Sequence, residues 1–458
     1  MSRVKIPRIV IGGLSSGVGK TTVMVALTMA FRKRGLRVNT FKCGPDYLDP
    51  TYHQRSSEQS CHNLDGWIMG KDAVQQTFHR AAHDCDIALI EGVMGLYDGA
   101  SPKGEAGSTA EISKWLDAPV LVCIDASGMA RTIAALEHGL VNFDPKVKVA
   151  GLISNFVGSK RHKDLLGEAL KTLPLIGGFT KQPSEFHFPD RHLGLSTARE
   201  DLVPQSLFDH WAELAESSFD LDAILKLAQS AGDFPKPEIQ QDNPKKSCRI
   251  AYAYDEAFHF YYEDNLARLR SLGAELVPFS PVNDQELPEA DGLYFGGGYP
   301  ELWAEKLSQN KAMNAAIKKF ATSKRPIYGE CGGLIYLCDG VTTGDGQRYS
   351  MLGLLPGEVT MKDKLQALGY VEVELQDKCF LGEAGTRFRG HQFRYSGIEL
   401  TSPVQETYRI RKRRNNAISM EGYQDQNVMG SYVHAHWASN PKVCENFISA
   451  CEAHAHDS

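Results

Sequence analysis

The chain has 458 residues, of which 42% are hydrophobic and 23% charged, and its formal net charge is −6 at pH 7. This length is more than one ordinary core accommodates, so we expect two or three domains. The acidic balance argues against nucleic acid as a partner. No apolar run is long enough to cross a membrane, and the opening MSRVKIPRIVIGG lacks the pattern of a signal peptide.

The ten cysteines are scattered through the chain without the spacing of a metal site. We therefore expect reduced thiols in a cytoplasmic protein.

The first half of the chain alternates short apolar strands with longer helical segments. The apolar residues of 20–34 recur at helical spacing, and Gly35 is placed to end that helix. Such alternation is typical of an α/β fold with a parallel sheet. Strands are predicted at residues 8–13, 37–42, 87–92, 119–125 and 148–155.

A glycine-rich loop, GGLSSGVGKTT at residues 12–22, lies between the first strand and the first helix. Its small residues let backbone N–H groups surround phosphate oxygens, and the helix N-terminus favours negative charge. Leu14 stands where the usual pattern has glycine, but the strand–loop–helix context favours an ATP site over a chance glycine-rich turn. Lys20 is expected to reach the β- and γ-phosphates, and Thr21 to hold Mg²⁺. The predicted nucleotide-contacting residues are Gly17, Val18, Gly19, Lys20, Thr21 and Thr22.

Four carboxylates follow the strands next to this loop. Glu91 ends an apolar strand and Asp98 follows it by seven residues, while Asp46 and Asp49 lie in CGPDYLDP after the second strand. Ligands of such sheets bind at the carboxyl ends of the strands, and Mg²⁺ prefers carboxylate oxygens. A single loop aspartate is usually a turn former, and that interpretation stays open for Asp49. Together the four predict a metal- and substrate-binding edge.

Residues 233–247, DFPKPEIQQDNPKKS, contain three prolines and mostly polar residues, which predicts a linker. A second α/β series follows, with strands at residues 248–255, 274–280 and 291–298 and a helix that ends near residue 272. We therefore predict one domain over residues 1–232 and a second over residues 248–458.

The stretch IYGECGGLIYL at residues 327–337 places one cysteine between glycines after a predicted strand. Glycines there favour a tight strand-to-helix turn, the geometry of a nucleophile elbow, with Cys331 at its tip. A buried, unreactive cysteine is the alternative. N–H groups of Gly332 and of the FGGGYPEL loop (295–302) are candidates for an oxyanion hole.

A cysteine nucleophile needs a base, and GSYVHAHWAS at residues 430–439 offers His434 and His436. We prefer His434 as the group that takes the thiol proton. A pair of half-exposed strand histidines is the alternative.

One basic run, RIRKRR at residues 409–414, departs from the acidic balance of the chain. It is typical of a solvated strand edge. A contact with a polyanion is the second interpretation.

Several long motifs, in the same order, resemble those of the cobyrinic acid a,c-diamide synthases, a family of glutamine-dependent amidoligases. The resemblance covers nearly the whole chain. It implies a P-loop, parallel-sheet synthetase domain related to dethiobiotin synthetase, followed by a flavodoxin-like class I glutamine amidotransferase domain. The motifs are GLSSGVGKTT, KCGPDYLDPTYH, EGVMGLYDG, RHLGL (191–195), GGGYPEL, YGECGGLIYL, ALGYVEV (367–373), GHQFRYS (390–396) and SYVHAHW.

The resemblance implies that Cys331 is the glutaminase nucleophile and His434 its activating base. Class I amidotransferases usually continue from this histidine with Pro-Glu, whereas this chain has Ala435-His436. The third member of the glutaminase site therefore stays open, with His436 as one option. Many relatives have Glu where this chain has Gln392.

The resemblance also implies roles at the ATP site. These are Lys20 and Thr21 for ATP and Mg²⁺, Asp46 and Glu91 as metal-side carboxylates, Asp49 and Asp98 for orienting or activating the substrate carboxylates, and Asn155 for recognising adenine.

The implied reaction belongs to cobalamin biosynthesis and converts the a- and c-acetate groups of cobyrinic acid, or of metal-free hydrogenobyrinic acid, to amides. ATP phosphorylates each carboxylate, and ammonia from glutamine displaces the phosphate. Arginine binds carboxylates bidentately, so residues 409–414 could contact this polycarboxylate. The alternatives are a nickel-sirohydrochlorin a,c-diamide synthase on the coenzyme F430 route, a cobyric acid synthase, and a non-catalytic P-loop switch. The oligomeric state stays open, with a homodimer as one option.

Overall fold

The computed structural model describes residues 3–188, 198, 203–237 and 247–454. The chain forms two compact units, Met1–Ile239 and Gln240–Ser458. The RHLGL motif at residues 191–195 and residues 238–246 of the predicted linker lie outside the described residues. Among the helices in these ranges, none combines the length and the apolar character needed to cross a lipid bilayer.

The described part of the first unit is built on a parallel sheet. Its strands are β1 (Arg3–Val4), β2 (Arg8–Gly13), β3 (Val38–Cys43), β4 (His62–Leu64), β5 (Ile87–Glu91), β6 (Val120–Asp125), β7 (Val149–Asn155), β8 (Leu175–Gly177) and β9 (Phe234–Pro235). Seven of them form one sheet in the order β4-β3-β5-β2-β6-β7-β8. Strand β2 pairs in parallel with β5 and β6, which brings the ends of these three strands to one edge. Strand β9 lies within the predicted linker and pairs with β1.

Helices accompany this sheet, and the first of them begins at the phosphate loop. They are α1 (Lys20–Lys33), α2 (Asp49–Ser57), α3 (Gly66–Ala82), α4 (Thr109–Trp115), α5 (Ile133–Phe143), α6 (Lys160–Ala169), α7 (Gln205–Ser218) and α8 (Leu221–Gln229), with a 3₁₀ helix at Ser184–Phe186. Helix α1 buries Val23, Leu27 and Phe31 fully in the core. The predicted helix at 20–34 and all five predicted strands are present, with each end within one residue of its predicted position.

The second unit contains a larger mixed sheet. Its strands are β10 (Cys248–Ala253), β11 (Phe258–Phe260), β12 (Ala274–Phe279), β13 (Gly292–Phe295), β14 (Gly297–Gly298), β15 (Ile327–Glu330), β16 (Gly340–Thr342), β17 (Arg348–Ser350), β18 (Glu358–Met361), β19 (Ala367–Leu375), β20 (Arg387–Arg394), β21 (Ser396–Glu399), β22 (Gln405–Lys412), β23 (Ile418–Asp425), β24 (Val428–Ser431) and β25 (His434–Ala435). Its helices are α9 (Glu263–Ser271), α10 (Ala304–Gln309), α11 (Lys311–Thr322), α12 (Gly332–Leu337) and α13 (Pro441–Glu452), with 3₁₀ helices at Pro300–Trp303 and Trp437–Ser439.

Ten strands of this unit form one sheet in the order β12-β10-β13-β15-β24-β23-β22-β19-β20-β25. The first five run parallel, which matches the α/β series predicted from the sequence. The other five pair antiparallel. Strands β16, β17, β18 and β21 form a separate four-stranded sheet. The predicted α/β fold class is therefore confirmed, with an antiparallel extension of the second unit that the sequence analysis did not predict.

The basic run at residues 409–414 lies on and just after β22, which has β19 and β23 as neighbours. The expectation of a strand edge is therefore wrong. Arg409 lies 3.3 Å from Glu374 on β19, and Arg411 is the register partner of Glu372 on the same strand. Carboxylates of the neighbouring strand thus face part of this positive charge.

Candidate active sites

The phosphate loop joins β2 to α1, and two of its glycines have left-handed backbone conformations. Gly17 has φ 79° and Gly19 has φ 85°, which side chains other than glycine adopt only with strain. A Cβ on Gly13 would lie 2.8 Å from Nζ of Lys20, so this glycine leaves room for the lysine. The sequence therefore needs glycine at these positions to wrap backbone around the Lys20 side chain.

The Lys20 ammonium is held by backbone carbonyls at the mouth of this loop. It donates to the carbonyl oxygens of Ser15 at 3.0 Å and of Met94 at 2.7 Å. Burial, and then the nearby Lys42, lower the pKa of Lys20 below its ordinary value. Phosphate oxygens are stronger acceptors for a lysine ammonium than neutral carbonyls, so a bound nucleotide can compete for this group.

A buried charged cluster lies beside the first turn of α1. The Thr21 hydroxyl lies 3.0 Å from Oε1 of Glu91 and 3.2 Å from Oδ1 of Asp49. The Lys42 ammonium, which extends from β3, lies 2.6 Å from Oδ2 of Asp49 and 3.0 Å from Oε1 of Glu91. His53 on α2 contacts the other oxygen of Glu91 through Nε2.

Electrostatics keeps this cluster charged despite its burial. Burial would lower the pKa of Lys42, but Asp49 and Glu91 raise it well above its ordinary value. Burial and Asp49 would raise the pKa of Glu91, but Lys42 and His53 hold it below its ordinary value. The Glu91 carboxylate therefore stays ionised next to the phosphate loop.

The donors in this cluster suit Mg²⁺. Thr21, Asp49 and Glu91 offer a hydroxyl and two carboxylates, which are the hard oxygen ligands that this ion takes. Within the described ranges, no group of three or more His, Cys, Asp and Glu side chains is arranged to hold a metal ion by itself. Mg²⁺ is commonly bound through one or two carboxylates together with substrate phosphates and water, so the residues present fit the ion.

Three other predicted ATP-site residues, Asp46, Asp98 and Asn155, form hydrogen bonds with backbone groups. Oδ1 of Asp46 accepts from the N–H groups of Leu48 and Asp49, and Oδ2 of Asp98 accepts from the N–H of Gly95. Both aspartates thus shape the turns that carry the site. Asn155 donates to the carbonyl of Val18 at 2.8 Å, which ties the end of β7 to the phosphate loop.

In the second unit, Cys331 lies at a sharp turn between β15 and α12. Its backbone angles are φ 49° and ψ −97°, a strained conformation for a residue that is not glycine. A Cβ on Gly333 would lie 2.3 Å from the carbonyl of Phe295, and one on Gly332 would lie 3.0 Å from the backbone nitrogen of Gly298. The glycines after Cys331 therefore allow the turn to pack closely against residues 295–298. This is the predicted strand-to-helix elbow.

The segment with His434 and strand β20 both lie next to this turn. The N–H of Cys331 donates to the carbonyl oxygen of Ser431 at 2.7 Å. The Cys331 sulfur lies 3.8 Å from the carbonyl oxygen of Phe393 on β20. On the same strand, His391 is the register partner of His434. Cys331 and His434 therefore both adjoin β20.

Burial sets the resting protonation of this pair. It raises the pKa of the Cys331 thiol to about 12. Burial, and then His391, lower the pKa of His434 to about 3. At neutral pH the resting thiol is therefore protonated and the resting imidazole is neutral.

His436 takes a different place from His434. Its Nδ1 accepts from the N–H of Ala438 at 3.4 Å, and its ring centroid lies 4.6 Å from that of Tyr262. It thus caps the 3₁₀ turn that starts at Trp437.

Four residues of these sites were not singled out from the sequence. Lys42, His53 and His391 lie inside motifs that carried the resemblance, KCGPDYLDPTYH and GHQFRYS, and Glu330 directly precedes Cys331. Lysine within a buried strand and histidine in the second turn of a helix have no local signal of their own. Their roles come from the packing of separate elements.

The two units match separate family models. Residues 9–182 match the CobQ/CobB/MinD/ParA nucleotide binding domain, and residues 249–442 match the CobB/CobQ-like glutamine amidotransferase domain. The chain therefore joins a nucleotide-binding domain to a glutamine amidotransferase domain.

Relatives aligned over nearly the whole chain narrow this class. A Leptospira interrogans protein named cobyrinate a,c-diamide synthase is 53% identical over 450 residues, which cover 98% of this chain and 99% of the relative. Proteins of the same name from Syntrophotalea carbinolica and Dehalococcoides mccartyi are 46% and 43% identical, with 97% of this chain and 98% of each relative covered. The chain belongs to the cobyrinate a,c-diamide synthase family.

Proposed function

We propose that this chain catalyses the ATP- and glutamine-dependent amidation of the a- and c-acetate carboxylates of cobyrinic acid, through acyl-phosphate intermediates. The observation that carries this proposal is the 53% identity to a cobyrinate a,c-diamide synthase over both units. Family membership favours this reaction over cobyric acid synthesis, nickel-sirohydrochlorin amidation and a non-catalytic switch. The chain is accordingly a glutamine-hydrolysing carbon–nitrogen ligase, as its sequence predicted.

In the first unit, the carboxylate of the substrate attacks the γ-phosphorus of ATP, and ADP leaves. Lys20 neutralises charge on the phosphate oxygens as the bond to the leaving group breaks. Thr21, Asp49 and Glu91 would hold Mg²⁺, which supplies further charge stabilisation when bound. Asp46 and Asp98 support the turns beside these groups, and Asp98 stays a candidate for orienting the substrate.

In the second unit, the Cys331 sulfur attacks the side-chain amide carbon of glutamine while His434 takes the thiol proton. His434 then gives this proton to the leaving nitrogen, so ammonia departs and a thioester remains. Water hydrolyses the thioester to glutamate and restores the thiol. The N–H of Gly332 and one N–H of residues 295–302 are the candidates for stabilising the tetrahedral oxyanion.

Ammonia completes the reaction by attacking the acyl phosphate. The nitrogen forms the amide bond while the bond between the acyl carbon and the phosphate oxygen breaks, and the inorganic phosphate that leaves takes up the proton lost by the nitrogen. Two such cycles give the a,c-diamide. Within this function, a cytoplasmic location and a homodimer stay predictions.

The test is a mass-spectrometric assay with Mg-ATP and glutamine, in which cobyrinic acid, hydrogenobyrinic acid and nickel-sirohydrochlorin are offered separately. We expect two acid-to-amide conversions on cobyrinic acid. No conversion of that substrate, with glutamine hydrolysis intact, would overturn the assignment of the substrate.

Variants separate the two half-reactions. Cys331→Ala should lose glutamine-dependent amidation by roughly 10²-fold or more and keep amidation with added ammonium, because only the glutaminase loses its nucleophile. Lys20→Ala should lose amidation from either nitrogen source. Cys379→Ala is the matched control, since this thiol in the same unit is 9% exposed, as Cys331 is. Loss of ammonium-dependent activity in Cys331→Ala would contradict the division of labour.

A further inference from the structure

The carboxyl group of Glu330 lies between the turn at Cys331 and the segment that carries His434. Glu330 is the last residue of β15, precedes Cys331 directly and is 1% exposed. Its Oε1 accepts from the Tyr328 hydroxyl at 2.9 Å and from the backbone N–H of Ala435 at 3.1 Å. Its Oε2 accepts from the Tyr294 hydroxyl at 3.1 Å. One side chain thus connects the residue before Cys331 to the residue after His434.

The peptide groups around Ala435 are held largely by side chains. The Ala435 carbonyl accepts from the side-chain amide of Asn265 on α9 at 2.8 Å, and the carbonyl oxygen of that amide accepts from the N–H of Trp437 at 2.9 Å. Glu330 holds the N–H of Ala435 from the opposite element, β15. The backbone directly after His434 is therefore clamped between two buried polar side chains.

The ring of His434 is buried and closely packed. Burial, and then His391, lower the pKa of the ring. A Cβ on Gly297 would lie 2.4 Å from Cε1 of the ring, so β14 packs directly against it. A shift of the backbone that carries the ring would therefore move the ring against β14.

We propose that Glu330 is a positioning residue for glutamine hydrolysis, which fixes the backbone of His434 relative to Cys331 through the N–H of Ala435. This inference rests on the proposed function, because it presupposes Cys331 and His434 as nucleophile and base. The residues after His434 are Ala435 and His436, so no glutamate there can orient the base. The inference assigns this orienting role to Glu330 and to the backbone that it holds.

The chemical state of Glu330 agrees with such a role. Burial raises its pKa to about 8, so the carboxyl is mostly neutral at pH 7. A neutral carboxyl still offers a carbonyl oxygen to the Ala435 N–H, as the amide of glutamine would. The function needs the acceptor and not the charge.

The experiment compares Glu330→Gln with Glu330→Leu in the full-length protein. Steady-state glutamine hydrolysis gives kcat and KM, and ammonium-dependent amidation reports on the other half-reaction. The rate of Cys331 alkylation by iodoacetamide, measured from pH 6 to 10, reports on proton removal from the thiol. We expect Glu330→Leu to lower the glutaminase kcat by roughly 10²-fold with KM changed less than about threefold, since a displacement near 1 Å costs about this much. Alkylation should shift to higher pH, whereas Glu330→Gln should stay within roughly fivefold of wild type in kcat.

Each outcome decides the matter. A wild-type kcat in Glu330→Leu would overturn the inference. Equal losses of kcat in the Leu and Gln variants would also overturn it, because they would give the carboxyl its own role in proton transfer. If Glu330→Leu does not fold, Asn265→Leu removes the other half of the clamp and should lower kcat in the same way; a wild-type kcat there would also overturn it. Full glutaminase activity in Cys331→Ala would instead refute the underlying function.

Discussion

Adding a single methyl group at Gly297 should displace His434, the proposed base. A Cβ at this position would lie 2.4 Å from Cε1 and 3.2 Å from Nδ1 of His434, while ordinary contacts begin near 3.4 Å. The ring must therefore move by about 1 Å. A misplacement of about 1 Å can cost roughly 10²-fold in rate, which corresponds to about 2.7 kcal/mol of activation free energy. We expect Gly297→Ala to lower the glutaminase kcat by roughly this factor.

The assay is glutamine hydrolysis, with ammonium-dependent amidation measured on the same preparation. The second activity should be unchanged, because the substitution lies in the amidotransferase unit. Gly344→Ala is the matched control, since a Cβ there meets no atom within 4 Å. A Gly297→Ala enzyme within about threefold of wild type would refute the packing argument, and so would an equal loss in Gly344→Ala.

Two further predictions concern the buried charges. Lys42→Met should abolish ammonium-dependent amidation and spare glutamine hydrolysis, because Asp49 and Glu91 lose their buried counter-charge at a cost of about 3–5 kcal/mol. Calorimetry should show a lower unfolding temperature for the nucleotide-binding unit. An unchanged unfolding temperature would contradict this prediction. Glu330→Gln should remove a pH dependence of stability. The folded carboxyl keeps its proton up to a pKa of about 8, whereas the unfolded one loses it above its ordinary value of 4.5. The contribution of this carboxyl to wild-type stability should therefore be fully present below pH 4.5 and be lost up to pH 8, by at most about 1.4 kcal/mol per pH unit. Urea unfolding between pH 5 and 8 measures this slope, and equal slopes in both proteins would be the contrary result.

The parallel α/β parts of both units could be predicted from the sequence because their buried strands are continuous apolar runs. The strand at Arg8–Gly13 and the helix at Lys20–Lys33 begin where their patterns begin. The antiparallel strands between Ala367 and Asp425 carry no such signal. There, exposed and buried residues alternate along each strand. From the sequence alone, Arg409 and Glu374 are expected to be solvated charges, whereas in the structure they face each other across two neighbouring strands.

The sharp turn at Cys331 could be predicted for a local reason, because glycines lie on both sides of this residue in the sequence. Thr21, Asp49 and Glu91 were expected at one edge of the sheet, but Lys42 and His53 were not, because the cluster joins residues that are far apart in the chain. Asp49, read as a substrate-orienting group, lies with Thr21 and Lys42, whereas Asp46, read as a metal ligand, bonds to the backbone of its own turn. Spacing alone does not distinguish two aspartates of one loop, since the direction of each side chain depends on the turn between them.

The buried Lys42 ammonium has a consequence for turnover. Bringing the Asp49 and Glu91 carboxylates together means confining two like charges in a medium that screens them poorly. Because the lysine lies within 3.0 Å of both, this electrostatic work is done once, when the chain folds. In the proposed reaction, each catalytic cycle then begins with both carboxylates already in position, so little reorganisation is needed when the phosphoryl group is transferred.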